Sequence, residues 1–281
     1  MSPATYLVFG DLHGRVLPAF KLAQAWAREH GVALAGLLQV GDLADLTGGP
    51  NCRAHNDPLE GGGQLVARPS AEADEVFADA ACPRALWFTA GNHEDYDFLK
   101  ERERGAGRAA DTFTVDAYGR LHCVRDGRVA ALPGGPRVGA LWGIDPGARR
   151  RIPPRAKISR RSAAALAGAP FDVLLAHDSP CGAVLADSGS DEVGAVIRAA
   201  RPAFAFFGHY HGTGRQVEGD FGGTRVYHLG HLELDSRAEE GSVGVLTWGD
   251  GAGDFAYLDP AWLRTVTRHN WKHRGFAEML R

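Results

Sequence analysis

The chain has 281 residues and nearly balanced charge, 31 Lys and Arg against 34 Asp and Glu, so no global signature of a polyanion-binding protein is present. That length accommodates one large α/β domain or two small ones, with a sizeable buried core. Four cysteines (Cys52, Cys82, Cys123 and Cys181) stand apart without a Cys-x-x-Cys pair, which argues against a zinc knuckle or disulfide framework and suits a reducing compartment. The first residues lack the basic segment, apolar core and cleavage site of a signal peptide. No apolar run approaches the roughly 18 residues of a membrane span, so a cytoplasmic protein is expected.

In chain order, five apolar runs read as parallel strands covered on both faces: residues 6–9, 34–40, 85–89, 173–176 and 203–207. Between them lie predicted helices over 17–29, 71–81, 96–104, 160–167 and 191–200. In the first of these, Phe20, Ala23, Trp26 and Ala27 recur on one helical face. Residues 128–132 and 138–142, joined by Pro133-Gly134-Gly135-Pro136, predict a hairpin. Further strands are expected at 224–229, 243–247 and 255–258, forming a second, largely antiparallel sheet packed on the first. The expected fold is therefore α/β, a two-sheet β-sandwich flanked by helices. One domain spans 1–259, and the tail, 260–281, reads as a C-terminal helix whose tryptophans dock on it. Residues 47–69, 105–110 and 147–154 read as loops, the first a candidate substrate-shaping flap.

The polar residues that carry chemistry sit where those strands end. The first run stops at Gly10-Asp11-Leu12-His13-Gly14, and the second at Gly41-Asp42-Leu43-Ala44-Asp45. The third ends in Gly91-Asn92-His93-Glu94-Asp95, the fourth in His177-Asp178-Ser179-Pro180, and the fifth in Gly208-His209-Tyr210-His211. Open α/β folds bind ligands outside the carboxyl ends of their strands. Taken alone, the first block is accounted for equally well by an Asp cap on a helix. Turns favour Asp, Asn and Gly, but they do not explain five of the chain's 12 histidines at strand ends. His30, His122, His269 and His273 are read as surface or core residues.

Asp-x-His, Gly-Asp-x-x-Asp, Gly-Asn-His-Glu, a lone post-strand His and Gly-His-x-His, in that order, resemble the calcineurin-like metallophosphoesterase superfamily. The resemblance implies the four-layer α-β-β-α fold of that superfamily and a site for two divalent metal ions. By resemblance, Asp11, His13, Asp42 and His211 surround one ion, and Asp42, Asn92, His177 and His209 the other, with Asp42 bridging. Mixed Asp, Asn and His ligation suits Mn, the first expectation, and also Fe, Zn or Ni. Hydrolysis of an anionic ester needs positive charge and a nucleophile at neutral pH, and paired cations supply both. In the family a metal-bridging hydroxide attacks phosphorus in line. The implied role of His93 is to assist the leaving group, and that of Asp45 to orient its imidazole. An ordinary turn cap is the competing reading of Asp45. Glu94, Asp95 and Asp178 are supporting candidates. Arg15 either binds phosphate in a fork or is an idle helix-start arginine.

Relatives acting on phosphoproteins and dinucleoside polyphosphates continue the second block as Asp-Arg-Gly, whereas this chain has Asp45-Leu46-Thr47. Residues 129–144 and the later Leu-Leu-Ala-His-Asp-Ser-Pro resemble the RNA lariat-debranching phosphodiesterase branch. That branch often carries Cys in place of His13, and its recognition loop cannot be traced here. The implied activity is a phosphodiesterase on nucleotide or nucleic-acid substrates, with no membrane and no obligate protein partner. The alternatives are a phosphomonoesterase or phosphoprotein phosphatase, and a non-enzymatic binding module on the same fold. The basic segment 149–161 would attract a polyanion if it bordered the site, although a solvated face is the commoner meaning of such runs.

Overall fold

In the computed structural model, which describes residues 3–47, 63–145, 152–211, 218–232 and 237–271, the first strand buries both of its faces. Leu7 and Phe9 of β1 (Ala4–Phe9) enter one apolar cluster, whereas Tyr6 and Val8 enter another. Successive strand residues point to opposite sides, so a strand of this kind separates two apolar layers. The first cluster also holds Phe20 and Ala23 of α1 (Val16–His30), Val76 and Phe77 of α3 (Ala71–Phe77) and Leu99 of α4 (Tyr96–Gly105). The second lies between two sheets, joining Leu38 and Trp87 to Val138, Leu175, Phe204 and Phe206. A third packs Leu174, Ala205 and Phe207 against Leu166 of α5 (Arg160–Ala167) and Val193, Val196 and Ile197 of α6 (Asp191–Ala200). Three clusters divide four layers, helix, sheet, sheet, helix. Each fully buried Phe or Leu in them contributes about 1.5–3 kcal/mol.

The remaining strands are β2 (Leu34–Gln39), β3 (Leu86–Phe88), β4 (Thr112–Thr114), β5 (Leu121–Val124), β6 (Val129–Ala131) and β7 (Arg137–Leu141). After them come β8 (Val173–Ala176), β9 (Phe204–Phe207), β10 (Glu218–Phe221), β11 (Thr224–His228), β12 (Val243–Gly249) and β13 (Ala252–Tyr257). One sheet runs β13-β12-β1-β2-β3-β5-β4 and the other β10-β11-β9-β8-β7-β6. In the first, β1, β2, β3 and β5 are parallel, while β12, β13 and β4 pair antiparallel. In the second, β7, β8, β9 and β11 are parallel, and antiparallel β6 and β10 form the edges.

That topology corrects the expected division of strands. The five parallel runs split between the sheets, the second sheet is mixed with a parallel centre, and 243–247 and 255–258 join the first sheet instead. The reason is physical: both sheets are covered on both faces, so their strands carry the same kind of apolar run, and patterning alone does not say which sheet a run enters. The hairpin of β6 and β7 forms as expected.

Helix ends follow capping chemistry. The side chains of Ser70, Asp95, Ser159 and Ser190 accept backbone N–H bonds at the starts of α3, α4, α5 and α6. Within the stretch read as a loop, Gln64–Ala67 forms a short helix, α2, and residues 48–62 lie outside the described residues. The tail begins as two single turns, α7 (Pro260–Leu263) and α8 (Arg268–Trp271). Leu263 and Val266 are buried in the first cluster, and Trp262 packs against it, while 272–281 lie outside the described residues.

Candidate metal centre

The parallel strands of both sheets deliver their carboxyl ends to one rim. From the first sheet β1 leads into Asp11 and His13, β2 into Asp42, and β3 into Asn92 and His93. From the second, β8 leads into His177 and β9 into His209 and His211. Candidate ligand atoms of Asp11, His13, Asp42 and His211 lie within 4.8 Å of one another, as do those of Asp42, His177 and His209. Each group can hold a metal ion, and Asp42 belongs to both. The backbone is strained where it turns to bring them together: His13, Asp42 and His209 have positive φ values of 41°, 53° and 71°. Left-handed non-glycine residues cost about 1–3 kcal/mol each and gather at functional sites.

Asp42 is 1% exposed and divides its oxygens between two tasks. Oδ1 accepts the backbone N–H groups of Asn92, at 2.7 Å, and His93, at 2.9 Å. Oδ2 faces His177 Nε2 at 3.1 Å, with His13 Nε2 and His93 Nε2 each 3.9 Å away. Asp11 is equally buried: the backbone N–H of His209 lies 3.2 Å from each of its oxygens, and His211 Nε2 is 3.1 Å from Oδ2. Two glycines make room for these carboxylates. A Cβ on Gly91 would overlap Asp42 Oδ1, and one on Gly208 would overlap Asp11 Oδ1.

Burial opposes charge on either carboxylate, yet the neighbouring histidines hold both below the usual carboxylate range: His177 then His93 for Asp42, His177 then His211 for Asp11. Burial likewise opposes charge on His177, but Asp42 and Asp11 outweigh it and raise the imidazole to about 10. His177 Nδ1 is bonded to the carbonyl of Val40 at 3.0 Å, so that nitrogen donates and Nε2 is the one turned to Asp42. Asn92 Oδ1 is buried without a hydrogen-bond partner, and His177 Nε2 has the Asp42 carboxylate 3.1 Å away. Carboxylate, amide oxygen and imidazole donors fit divalent transition-metal ions, which would take His177 Nε2 by displacing its proton.

Supporting side chains fix the turns. Glu94 accepts Leu43 N–H and Gly91 N–H, each at 2.8 Å, clamping the ends of β2 and β3 together. Burial, then the charge of Asp42, pushes the Glu94 carboxyl up to about 7. Asp178 accepts from Asp145 N–H at 2.7 Å, Ser179 N–H at 2.9 Å and the Tyr210 hydroxyl at 2.6 Å, linking the β8 and β9 turns. Asp95 caps α4 and receives the Thr47 hydroxyl. Asp45 is 2% exposed, and its Oδ1 accepts the backbone N–H of Thr47 and shares the single Thr47 hydroxyl proton with Asp95. Arg15 is buried, with Nη1 donating to the His13 carbonyl at 2.9 Å, so part of its fork is committed to backbone. Within the basic segment 149–161, Arg155 pairs with Asp97 and Arg160 with Glu192. Residues 146–151 lie outside the described residues.

A model of the calcineurin-like phosphoesterase family matches residues 4–213. The chain belongs to that family. The match covers every strand-end motif from Asp11 to His211. Among solved structures, TT1561 of Thermus thermophilus aligns at 14% identity and TM-score 0.52, over 92% of this chain and 100% of its own. GAP50, the anchor in the inner membrane complex of Plasmodium, aligns at 8% identity and TM-score 0.53, over 92% of this chain and 85% of its own. Such identities establish a shared fold and nothing more. No curated protein matches the chain. Among the described residues no helix is long and apolar enough to cross a membrane.

One residue of this rim escaped the sequence reading. His231 follows β11, and its ring centroid lies 4.7 Å from that of His13 and 5.1 Å from that of His211. Burial, then His13 and Arg15, push its pKa down to about 3, leaving the ring neutral. The signal was present: Gly230-His231 after a strand repeats Gly208-His209 after β9. It was overlooked because 224–229 reads as an antiparallel strand, whereas β11 runs parallel to β9 and ends at the same rim.

Proposed function

We propose that this phosphoesterase family member is a phosphodiesterase acting on nucleotide or nucleic-acid substrates with two divalent metal ions, Mn foremost. The observation that carries the metal-centre reading is Asp42, whose carboxylate belongs to both ligand groups while its Oδ1 is held by two backbone N–H groups. Asp11, His13, Asp42 and His211 would hold one ion, and Asp42, Asn92, His177 and His209 the other. Bound there, the pair would supply a water of lowered pKa and offset the charge of the phosphate.

The chain's own part begins with His93. Its side chain is 30% exposed, against 0% for His177 and 9% for His13, so it is accessible from the rim while its backbone N–H is anchored on Asp42. As the oxygen of a water bonds to phosphorus and the bond to the leaving oxygen breaks, His93 gives that oxygen a proton, so diester and water become an alcohol and a phosphomonoester. Asp45, buried and held by the backbone N–H of Thr47, would orient that imidazole. The preference for a diester rests on the likeness of residues 129–144 to the debranching branch and on Leu46-Thr47 replacing the phosphatase Arg-Gly.

The test is a rate comparison after Mn²⁺ loading, with an aryl phosphodiester beside the matching aryl monoester. Diester preference, with His93→Ala lowering kcat about 10²–10⁴-fold at unchanged metal content, is the expected result. Monoester preference would overturn the phosphodiesterase reading, and an unaffected His93→Ala would remove His93 from the chemistry.

A further inference from the structure

Resting on the metal-centre reading above, we propose that His231 is a positioning residue for the ion on the Asp11 side: its ring holds His13 and His211 in place and so sets that site's affinity. Both contacts are edge-on, with interplanar angles of 81° to His13 and 83° to His211. Edge-to-face pairs of this kind have a defined geometry and resist ring rotation. The two ligands also lean on each other, His13 Nε2 lying 3.4 Å from His211 Nε2, so one further ring touching both braces the pair. His211 is where a brace matters: its side chain is 41% exposed, whereas those of Asp11, His13, Asp42 and His177 are 9% exposed or less.

The backbone that carries His231 is itself fixed to the Asp11 strand end. Leu232 donates its N–H to the Asp11 carbonyl at 2.9 Å, and Gly230 donates to Gly241 at 3.0 Å. A Cβ on Gly10 would overlap the Gly230 carbonyl, so the two segments are in close contact just ahead of Asp11. His231 is thus part of the same rigid rim as Asp11 and His13, yet its ring contacts run to those of His13 and His211, both ligands of one group. Neither His177 nor His209, the histidines that belong only to the other group, is among its ring contacts in the described residues. The consequence is selectivity: loss of the ring loosens one ion and spares the other.

Calorimetric titration of metal-free protein with Mn²⁺ tests this without any substrate. Wild type should bind two ions. His231→Ala should bind one of them about 10–100-fold more weakly, the usual cost of losing a contact that orients a ligand, and the other as before. His231→Phe, which keeps the ring edges, should restore the weakened site, and His231→Asn replaces the alanine variant should that one fail to fold. Wild-type affinity at both sites in the ring-less variant would overturn the proposal, as would equal weakening of both sites or failure of the phenylalanine to restore. Wild type binding fewer than two ions would instead overturn the metal-centre reading, so the two failures are told apart.

Discussion

A carboxylate buried between two backbone N–H groups cannot be replaced by its amide without leaving a donor facing a donor. Glu94 is in that position, one oxygen on Leu43 N–H and the other on Gly91 N–H. In Glu94→Gln one of those bonds is lost and a buried N–H goes unsatisfied, at a cost of about 1–3 kcal/mol. Urea unfolding of the metal-free variant should show that loss, and metal affinity should fall with it, because Gly91 and Leu43 flank Asn92 and Asp42. Unchanged stability would mean the turns hold themselves. Glu94, Asp95 and Asp178 were legible as neighbours of ligands in the sequence, but their tasks were not. Which N–H a carboxylate accepts depends on how two turns 51 residues apart meet, as Leu43 and Glu94 do, and no spacing rule encodes that.

The hairpin of β6 and β7 is tied to α5 by one half-buried acid, Asp126. Asp126 accepts the Trp142 N–H at 3.0 Å and the Ser162 hydroxyl at 2.6 Å, joining the turn before β6, the end of β7 and the first turn of α5. Burial raises its pKa above the ordinary carboxylate value despite these bonds. The folded state therefore binds its proton more tightly than the unfolded chain does. Stability from this group is full below the unfolded value and is lost as pH rises through the raised folded one. Asp126→Asn can keep both bonds, the amide oxygen accepting from Trp142 and the amide nitrogen donating to Ser162, and it carries no proton to lose. The melting temperature of the variant relative to wild type should therefore rise as pH climbs from below the ordinary carboxylate value through the raised folded one. A difference flat across that range would refute the argument. The elements themselves were largely readable: α5 and α6 match their expected spans, with Ser159 and Ser190 capping their starts and apolar spacing running through each. The three-residue β4 was not, since it is too short to show a period of two, and β11 was read with the wrong direction because direction depends on its neighbour.

The two sheets meet through the apolar cluster that holds Tyr6, Leu38, Phe204 and Phe206, and also at the rim, where Asp11 and Asp42 of one sheet face His177, His209 and His211 of the other. Metal bound at the rim would join the sheets by a second kind of linkage, so it should stabilise the whole molecule and not one turn. A ligand at 100 times its dissociation constant adds about 2.7 kcal/mol to the folded state. For a chain of this size that corresponds to a melting point higher by about 5 °C per bound ion. Thermal unfolding of the metal-free protein with and without Mn²⁺ should show that rise, and chelator should reverse it. Asp42→Asn should abolish most of it, because the residue belongs to both ligand groups. A variant at a residue of one group alone, His209→Ala, should keep a part. If Asp42→Asn retained the full rise, the ions would be bound elsewhere and would not join the sheets at this rim.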